Sequence, residues 1–300
     1  MLVTGTAETF DNKKLPYKIV LKTQHKWERF NDPDSWRREY DLYMSDLGDL
    51  FSDSLRWPEC YHAEMNEDKT QTQLWIEYIE GVSGNDLTIE MREKASEELG
   101  RFQGRIYKNN MGLLQNISCF TEVESVIYYF TDYRKESDEY KYLRSKGCEI
   151  PEHLRQMLMD NDIKIKEIFE NVKNMPMVLS HRDFWHENII YSDNKIILLD
   201  WDCTGWGYMF EDIIQLILDE TDKKYLEEYY KKFIPAYIKG ISQYIDISKI
   251  DNIKSLYSWD MFIQFGYNPV RWYMSAGSDD VKKLAIETLQ KIYDMKDIKF

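Results

Sequence analysis

The chain has 300 residues and a formal net charge of −14, from 39 Lys and Arg against 53 Asp and Glu. A surface this acidic repels phosphate backbones and excludes a general nucleic-acid binder, although it sets no limit on a nucleotide held locally by one lysine and a metal ion. With 43% hydrophobic and 31% charged residues, the chain is ordinary globular material, enough for one large domain or two modest ones, and no apolar run approaches the roughly 20 residues of a membrane span.

The first residues show neither a basic nor an apolar leader segment. Cys60, Cys119, Cys148 and Cys203 are scattered, with no Cys-x-x-Cys pair, and the histidines form no His-x-x-x-His pair. A zinc site is therefore not expected, and the cysteines read as reduced thiols of a cytoplasmic protein.

In chain order, Tyr17 to Lys22 alternates and is rich in β-formers, which predicts a strand. Asp32-Pro33-Asp34-Ser35 reads as a helix start, with the helix running from Trp36 through Tyr43. Leu74 to Ile79 predicts a second strand, ending in Glu80-Gly81-Val82-Ser83-Gly84, a flexible stretch and the expected lobe boundary. The rest is mainly helical. Ala95, Leu99, Phe102 and Ile106 fall on one helix face, and Gly100 and Gly104 leave room for a close neighbour. Leu154, Leu158, Ile165, Ile168, Phe169 and Val172 mark another amphipathic helix, whereas the charged stretch 132–146 reads as a solvated face. One strand-like island interrupts the helices. Ile189 to Tyr191, a turn at Ser192 to Lys195, and Ile196 to Leu199 make a hairpin. The layout is α+β and bilobal: a small β-rich lobe over residues 1–81 and a helical lobe over 82–300 that carries the hairpin.

The chemistry concentrates in Ser180-His181-Arg182-Asp183-Phe184-Trp185-His186-Glu187-Asn188 and in Leu199-Asp200-Trp201-Asp202. Pairing Ile190 with Ile197 sets Asn188 beside Leu199. Asn188 then begins one strand while Asp200 ends its partner, at the same end of the hairpin, and Asp183 lies in the loop just ahead. An amide oxygen and a carboxylate brought together make a hard-oxygen site for Mg²⁺. A second carboxylate nearby can accept a proton from a hydroxyl. Those are the parts of a phosphoryl-transfer site.

His-x-Asp-x-x-x-x-Asn followed by an Asp on the next strand resembles the core of the aminoglycoside phosphotransferase and choline kinase superfamily, with its protein-kinase-like fold. Asp200-Trp201-Asp202 in place of Asp-Phe-Gly resembles the same branch, in which an acidic residue at the position of Asp202 is common. The resemblance implies roles residue by residue. Asp183 would take the proton of the acceptor hydroxyl. Asn188 and Asp200 would hold Mg²⁺ against the phosphates of ATP. Lys22 would meet the α- and β-phosphates, with Glu39, in Arg37-Arg38-Glu39-Tyr40, fixing its side chain. The hinge Trp75 to Gly81 would read adenine through the Glu77 C=O and the Ile79 N–H. His181 would hold the catalytic loop, Glu98 to Arg105 would form the helix after the hinge, and Glu211-Asp212 would open an acidic helix start. Gly5 alone stands where the family carries a glycine-containing loop over the phosphates.

About ten residues separate Asp200 from Glu211, too few for the long activation segment of a protein kinase. A small hydroxylated acceptor is expected instead, of aminoglycoside, amino-alcohol or sugar type. Trp259 to Phe262 and Tyr267 to Tyr273 are candidate walls for it, and aromatics with carboxylates suit a cationic ligand. The alternatives are a choline or sugar kinase, or a catalytically silent protein of the same fold, resembling some spore-coat relatives.

Overall fold

The computed structural model describes residues 1–27, 33–109, 128, 130–172, 175–218, 223–249, 261 and 266–295. The strands are β1 (Leu2–Glu8), β2 (Lys14–His25), β3 (Leu55–Arg56), β4 (Cys60–Met65), β5 (Gln71–Glu77), β6 (Val82–Ser83), β7 (Met177–Ser180), β8 (Ile189–Ser192), β9 (Lys195–Leu198) and β10 (Gly205–Tyr208). The helices are α1 (Ser35–Tyr43), α2 (Ile89–Asn109), α3 (Asp138–Leu143), α4 (Glu152–Val172), α5 (Glu211–Leu218), α6 (Leu226–Ile241), α7 (Asn268–Ser275) and α8 (Asp279–Met295).

The first lobe is an antiparallel sheet in the order β1-β2-β5-β4. Alternation in β5 buries Thr72, Leu74 and Ile76 on one face. The α1 helix contacts this sheet and buries Trp36, Arg38, Glu39 and Leu42. Gly5 lies inside β1 opposite Tyr17, and a Cβ added to it would fall 2.6 Å from the Tyr17 hydroxyl. The sequence placed Gly5 in a phosphate-covering loop. It is instead the smooth patch of a strand across which an aromatic ring lies, and the turn from β1 to β2 is closed by Thr9 and Lys13.

The second lobe is built on two long helices that cross where three glycines meet. A Cβ on Gly100 would lie 2.3 Å from the Tyr237 carbonyl oxygen, and one on Gly240 would lie 2.1 Å from that of Glu97. Gly104 packs on Ile241 in the same seam. Ala95, Leu99, Phe102 and Ile106 are all buried, as the spacing required, and the larger three contribute about 1.5–3 kcal/mol each. The α4 helix buries Leu154, Leu158, Ile165, Ile168 and Val172, with Phe169 partly covered. In the charged stretch 132–146, Arg134 and Leu143 are nonetheless buried, and the Arg134 guanidinium lies 4.4 Å from the centre of the Tyr267 ring.

The hairpin forms in the expected register, with Ile190 opposite Ile197. Asp193 and Asn194 at its tip both adopt positive φ, 49° and 63°, the backbone of a tight two-residue turn. The hairpin sits in a sheet ordered β3-β9-β8-β6. Here the structure corrects the expectation of a flexible stretch at Glu80 to Gly84. Val82–Ser83 is a strand paired with Tyr191 and Ile190, and a Cβ on Gly81 would meet Ile190 and the Tyr191 carbonyl at 2.6 Å. The glycine is there for close packing, not for freedom. The β3 strand comes from the first third of the chain and pairs in parallel with β9, so the two lobes share a sheet.

Candidate active site

Asn188 and Asp200 stand at one end of the hairpin, since the Leu199 N–H donates to the Asn188 carbonyl at 2.9 Å. Asp200 adopts a left-handed conformation, φ 60° and ψ 69°, and opens the short turn Trp201–Cys203. Its carboxylate reaches across to the first lobe, where Lys22 Nζ lies 2.5 Å from Asp200 Oδ1 and 2.5 Å from Glu39 Oε2. Thus β2, α1 and the end of the hairpin deliver Lys22, Glu39 and Asp200 to one point.

Asp183 and Asn188 form the second half of the site. The Asn188 amide donates to Asp183 Oδ2 at 2.6 Å and to the Asp183 main-chain carbonyl at 3.0 Å. That orients the amide so that its Oδ1 faces away from Asp183. Gln215 adds a longer contact, from its Nε2 to Asp183 Oδ1 at 3.4 Å, while its Oε1 accepts the Phe184 N–H at 3.1 Å. Burial raises the Asp183 carboxyl above its ordinary value, and the charges of Asp200 and Asp202 push the same way against the Asn188 hydrogen bond. For Lys22, burial opposes the charge, but the Glu39 and Asp200 carboxylates outweigh it and hold the ammonium charged, above the usual lysine value.

The loop carrying Asp183 hangs on α5. The Asp212 carboxylate accepts the N–H groups of His181 at 3.0 Å and Arg182 at 2.8 Å, and also the Gln103 amide at 2.8 Å. Burial lifts Asp212 to about 6, against those hydrogen bonds. His181 is buried edge-on to Trp201, with ring centres 4.7 Å apart, and burial lowers it to about 4. Arg182, at φ 63°, donates to the Trp206 carbonyl and lies 3.6 Å from Glu211.

The hinge strand β5 stops at Glu77, two residues before the expected end. Glu77 is the last residue of β5, paired with Ile19, and Ile79 lies in the connection to β6; neither makes a hydrogen bond or ion pair to Lys22, Asp183, Asn188 or Asp200 among the described residues. The Glu77 side chain is held elsewhere. It takes a forked pair from Arg56 at 2.6 and 3.0 Å and the Glu59 N–H at 3.1 Å.

Of the two candidate acceptor walls, Trp259, Asp260 and Phe262 lie outside the described residues. The stretch Tyr267 to Tyr273 divides. Asn268, Pro269 and Trp272 line a pocket with Gln215, Leu218 and Ile292, and Gln215 joins that pocket to Asp183. Tyr267, Arg271 and Tyr273 instead bind Asp162, Glu139 and Glu149. No carboxylate lines this pocket among the described residues, so the expected pairing of aromatics with acidic groups is not what the pocket shows.

Sequence reasoning missed Asp212 and Gln215 as supports of Asp183, and Arg56 as a support of the hinge. The signal for the first two was available. Glu211–Leu218 is apolar at Ile213, Ile214, Leu216, Ile217 and Leu218, and all eight residues are buried, so polar groups on it require partners inside.

A small antiparallel lobe, a Lys22–Glu39 ion pair and the hairpin carrying Asn188 and Asp200 beside a helical lobe make up the protein-kinase-like fold. Solved structures share it. The choline kinase from Cryptosporidium parvum Iowa II aligns over 98% of this chain and 90% of its own, with TM-score 0.56 and 16% identity. The microcompartment-associated aminopropanol kinase aligns over 99% and 91%, with TM-score 0.59 and 13% identity. Amicoumacin kinase hAmiN, solved in complex with AMP-PNP, Ca²⁺ and Ami, aligns over 98% and 85%, with TM-score 0.53 and 15% identity. The family model described as "Phosphotransferase enzyme family" matches residues 56–245. The chain belongs to that family. Comparison with curated proteins gives no match.

Proposed function

We propose that the protein transfers the γ-phosphoryl group of ATP to a hydroxyl of a small molecule, with Mg²⁺. The single observation that carries this reading is the convergence of Lys22, Glu39 and Asp200 at 2.5 Å contacts, with Asp183 and Asn188 at the same end of the hairpin. The donor chemistry suits a hard cation. Asn188 and Asp200 offer an amide oxygen and a carboxylate, and among the described residues no group of three or more His, Cys, Asp or Glu is arranged to hold a metal alone. Two protein oxygens with phosphate oxygens and water are the usual surroundings of Mg²⁺ at a nucleotide. A divalent cation bound there offsets phosphate charge. Asn188 and Asp200 would hold the cation, Lys22 would neutralise α- and β-phosphate charge, and Glu39 would keep the ammonium aimed. The Glu77 C=O and the Ile79 N–H would read the adenine edge at the hinge, with the lobes dividing near residue 81.

The acceptor enters from the side of Trp272 and Gln215, and its hydroxyl gives its proton to Asp183 as its oxygen bonds to phosphorus and ADP leaves. A raised carboxyl is a better base than an ordinary one. Amino-alcohols are the first acceptors to try, since a choline kinase and an aminopropanol kinase share the fold, and amino-sugars and sugars are the other classes the sequence suggests. Cys60, Cys148 and Cys203 are free thiols, which fits the expected cytoplasmic setting. Among the described residues no helix is long and apolar enough to cross a membrane. The test is a coupled ADP-release screen over those acceptors. Acceptor-dependent ADP release is expected. Release from none of them, with Mg·ATP failing to stabilise the fold, rejects the reading in favour of a silent protein of the same fold. A ligand at a hundred times its Kd stabilises by about 2.7 kcal/mol.

A further inference from the structure

We infer that Arg38 is a positioning residue that ties α1 to the turn after Asp200 and so sets the metal-bound geometry of the site. This rests on the nucleotide reading of the site given above. Arg38 precedes Glu39 on α1, and the two side chains are exposed by only 1% and 2%. Neighbouring positions on a helix point about 100° apart. Glu39 is aimed at Lys22, and Arg38 Nη1 donates to the main-chain carbonyl of Asp202 at 2.5 Å.

These contacts close a ring. Glu39 holds Lys22, Lys22 holds Asp200, Asp200 leads through Trp201 to Asp202, and the Asp202 carbonyl returns to Arg38. The α1 helix thus reaches the turn twice, through Lys22 to the Asp200 side chain and directly to the Asp202 backbone. The second grip matters because Asp200 stands in a left-handed conformation at φ 60°, which a non-glycine residue keeps only when its surroundings hold it. A fully buried guanidinium is also costly without charged or carbonyl partners. Arg38 therefore contributes most when the Asp202 turn is in this one position. The carboxylate of Asp202, half of the departure from Asp-Phe-Gly, is felt electrostatically at both Glu39 and Asp183, so a cation beside this turn also limits the negative charge gathered there.

The probe is AMP-PNP titrated calorimetrically into full-length protein, with and without Mg²⁺, below the melting temperature of every variant. Arg38→Met is expected to weaken Mg·AMP-PNP tenfold or more while leaving metal-free AMP-PNP within about twofold. Arg38→Lys keeps the charge with a shorter reach and falls between, two- to fivefold weaker with Mg²⁺ only. Hydrogen exchange provides a readout that needs no ligand. The Thr204 N–H, which donates to the Trp201 carbonyl at 3.2 Å, should exchange faster in both variants than in the wild type. If Arg38→Met does not fold, Arg38→Lys decides alone. A variant that merely melts lower, with its Mg·AMP-PNP affinity and Thr204 exchange unchanged, overturns the inference, as does equal weakening with and without Mg²⁺. A wild-type protein that binds no Mg·AMP-PNP rejects the nucleotide reading itself, while the exchange result still judges whether Arg38 holds the turn.

Discussion

The Asp212 carboxylate accepts the main-chain N–H groups of both His181 and Arg182, which hangs the loop bearing Asp183 on the first turn of a wholly buried helix. The carboxylate proposed as the base is therefore placed by a buried residue, Asp212. Breaking this anchor should disturb turnover through geometry, and the two buried titrating groups at its ends give it a pH signature.

Asp212→Asn should cost about 1–3 kcal/mol of stability, because two buried N–H groups lose a charged acceptor. The sign of its pH dependence follows from the raised value of about 6 against 3.8 in an unfolded chain. A raised carboxyl adds stability below the unfolded value and loses it as pH rises to 6, by up to about 3 kcal/mol. The stability gap between wild type and Asp212→Asn should thus widen on acidification from pH 6 to 4. Urea midpoints across that range measure it, and a constant gap would contradict the buried-acid assignment.

His181 works in the opposite sense. Burial lowers it to about 4 from 6.5, so its contribution is full above pH 6.5 and lost as pH falls to 4. His181→Gln should be destabilised at pH 7.5, and its deficit relative to wild type should shrink towards pH 4. The same urea series reads this out. A deficit that grows on acidification would contradict the burial account.

Asp183→Asn should lower kcat by about 10²–10⁴-fold, the range for loss of a general base. Mg·nucleotide affinity should stay near that of the wild type, because the role proposed for Asp183 is to take the acceptor proton and not to hold phosphate. In the wild type, kcat/KM should rise with pH through an ionisation above the ordinary Asp value of 3.8, since burial raises this carboxyl and only its ionised form accepts a proton. Steady-state kinetics with parallel calorimetry separates the effects, and equal loss of nucleotide binding would reassign the residue.

Trp272→Ala should raise the acceptor KM roughly tenfold through lost apolar contact, with kcat and nucleotide affinity little changed. An unchanged acceptor KM would move the acceptor away from the pocket beside Gln215.

Gly100→Ala should destabilise by about 3 kcal/mol or more, because the new Cβ meets a carbonyl oxygen at 2.3 Å and neither long helix can yield locally. The protein that remains folded should keep its nucleotide affinity. Thermal melts with binding measured below the transition check both halves.

What could be read in the sequence was local. The Ile189–Leu198 hairpin was legible because β-branched residues flank a turn of Asp193 and Asn194, and its register alone put Asn188 beside Asp200. The glycine seam was legible because Gly100 and Gly104 interrupt an apolar helix face. The partner of Lys22 came from chain order and resemblance, since nothing local links Lys22 to Glu39. Burial was not legible. Asp212 at a helix start looks like an ordinary charge favourable to the helix dipole until the His181–Arg182 backbone it holds is known. Gly81 looked like a hinge because its packing partner, Ile190, lies more than a hundred residues away.

The most direct test of the central claim is a calorimetric titration of AMP-PNP into the wild type and Asp200→Ala, each with and without Mg²⁺. The convergence of Lys22, Glu39 and Asp200, with Asn188 at the same end of the hairpin, requires saturable heat from the wild type that strengthens with Mg²⁺, and loss of that strengthening in Asp200→Ala. No heat from the wild type, or the same Mg²⁺ dependence in the variant, would contradict it.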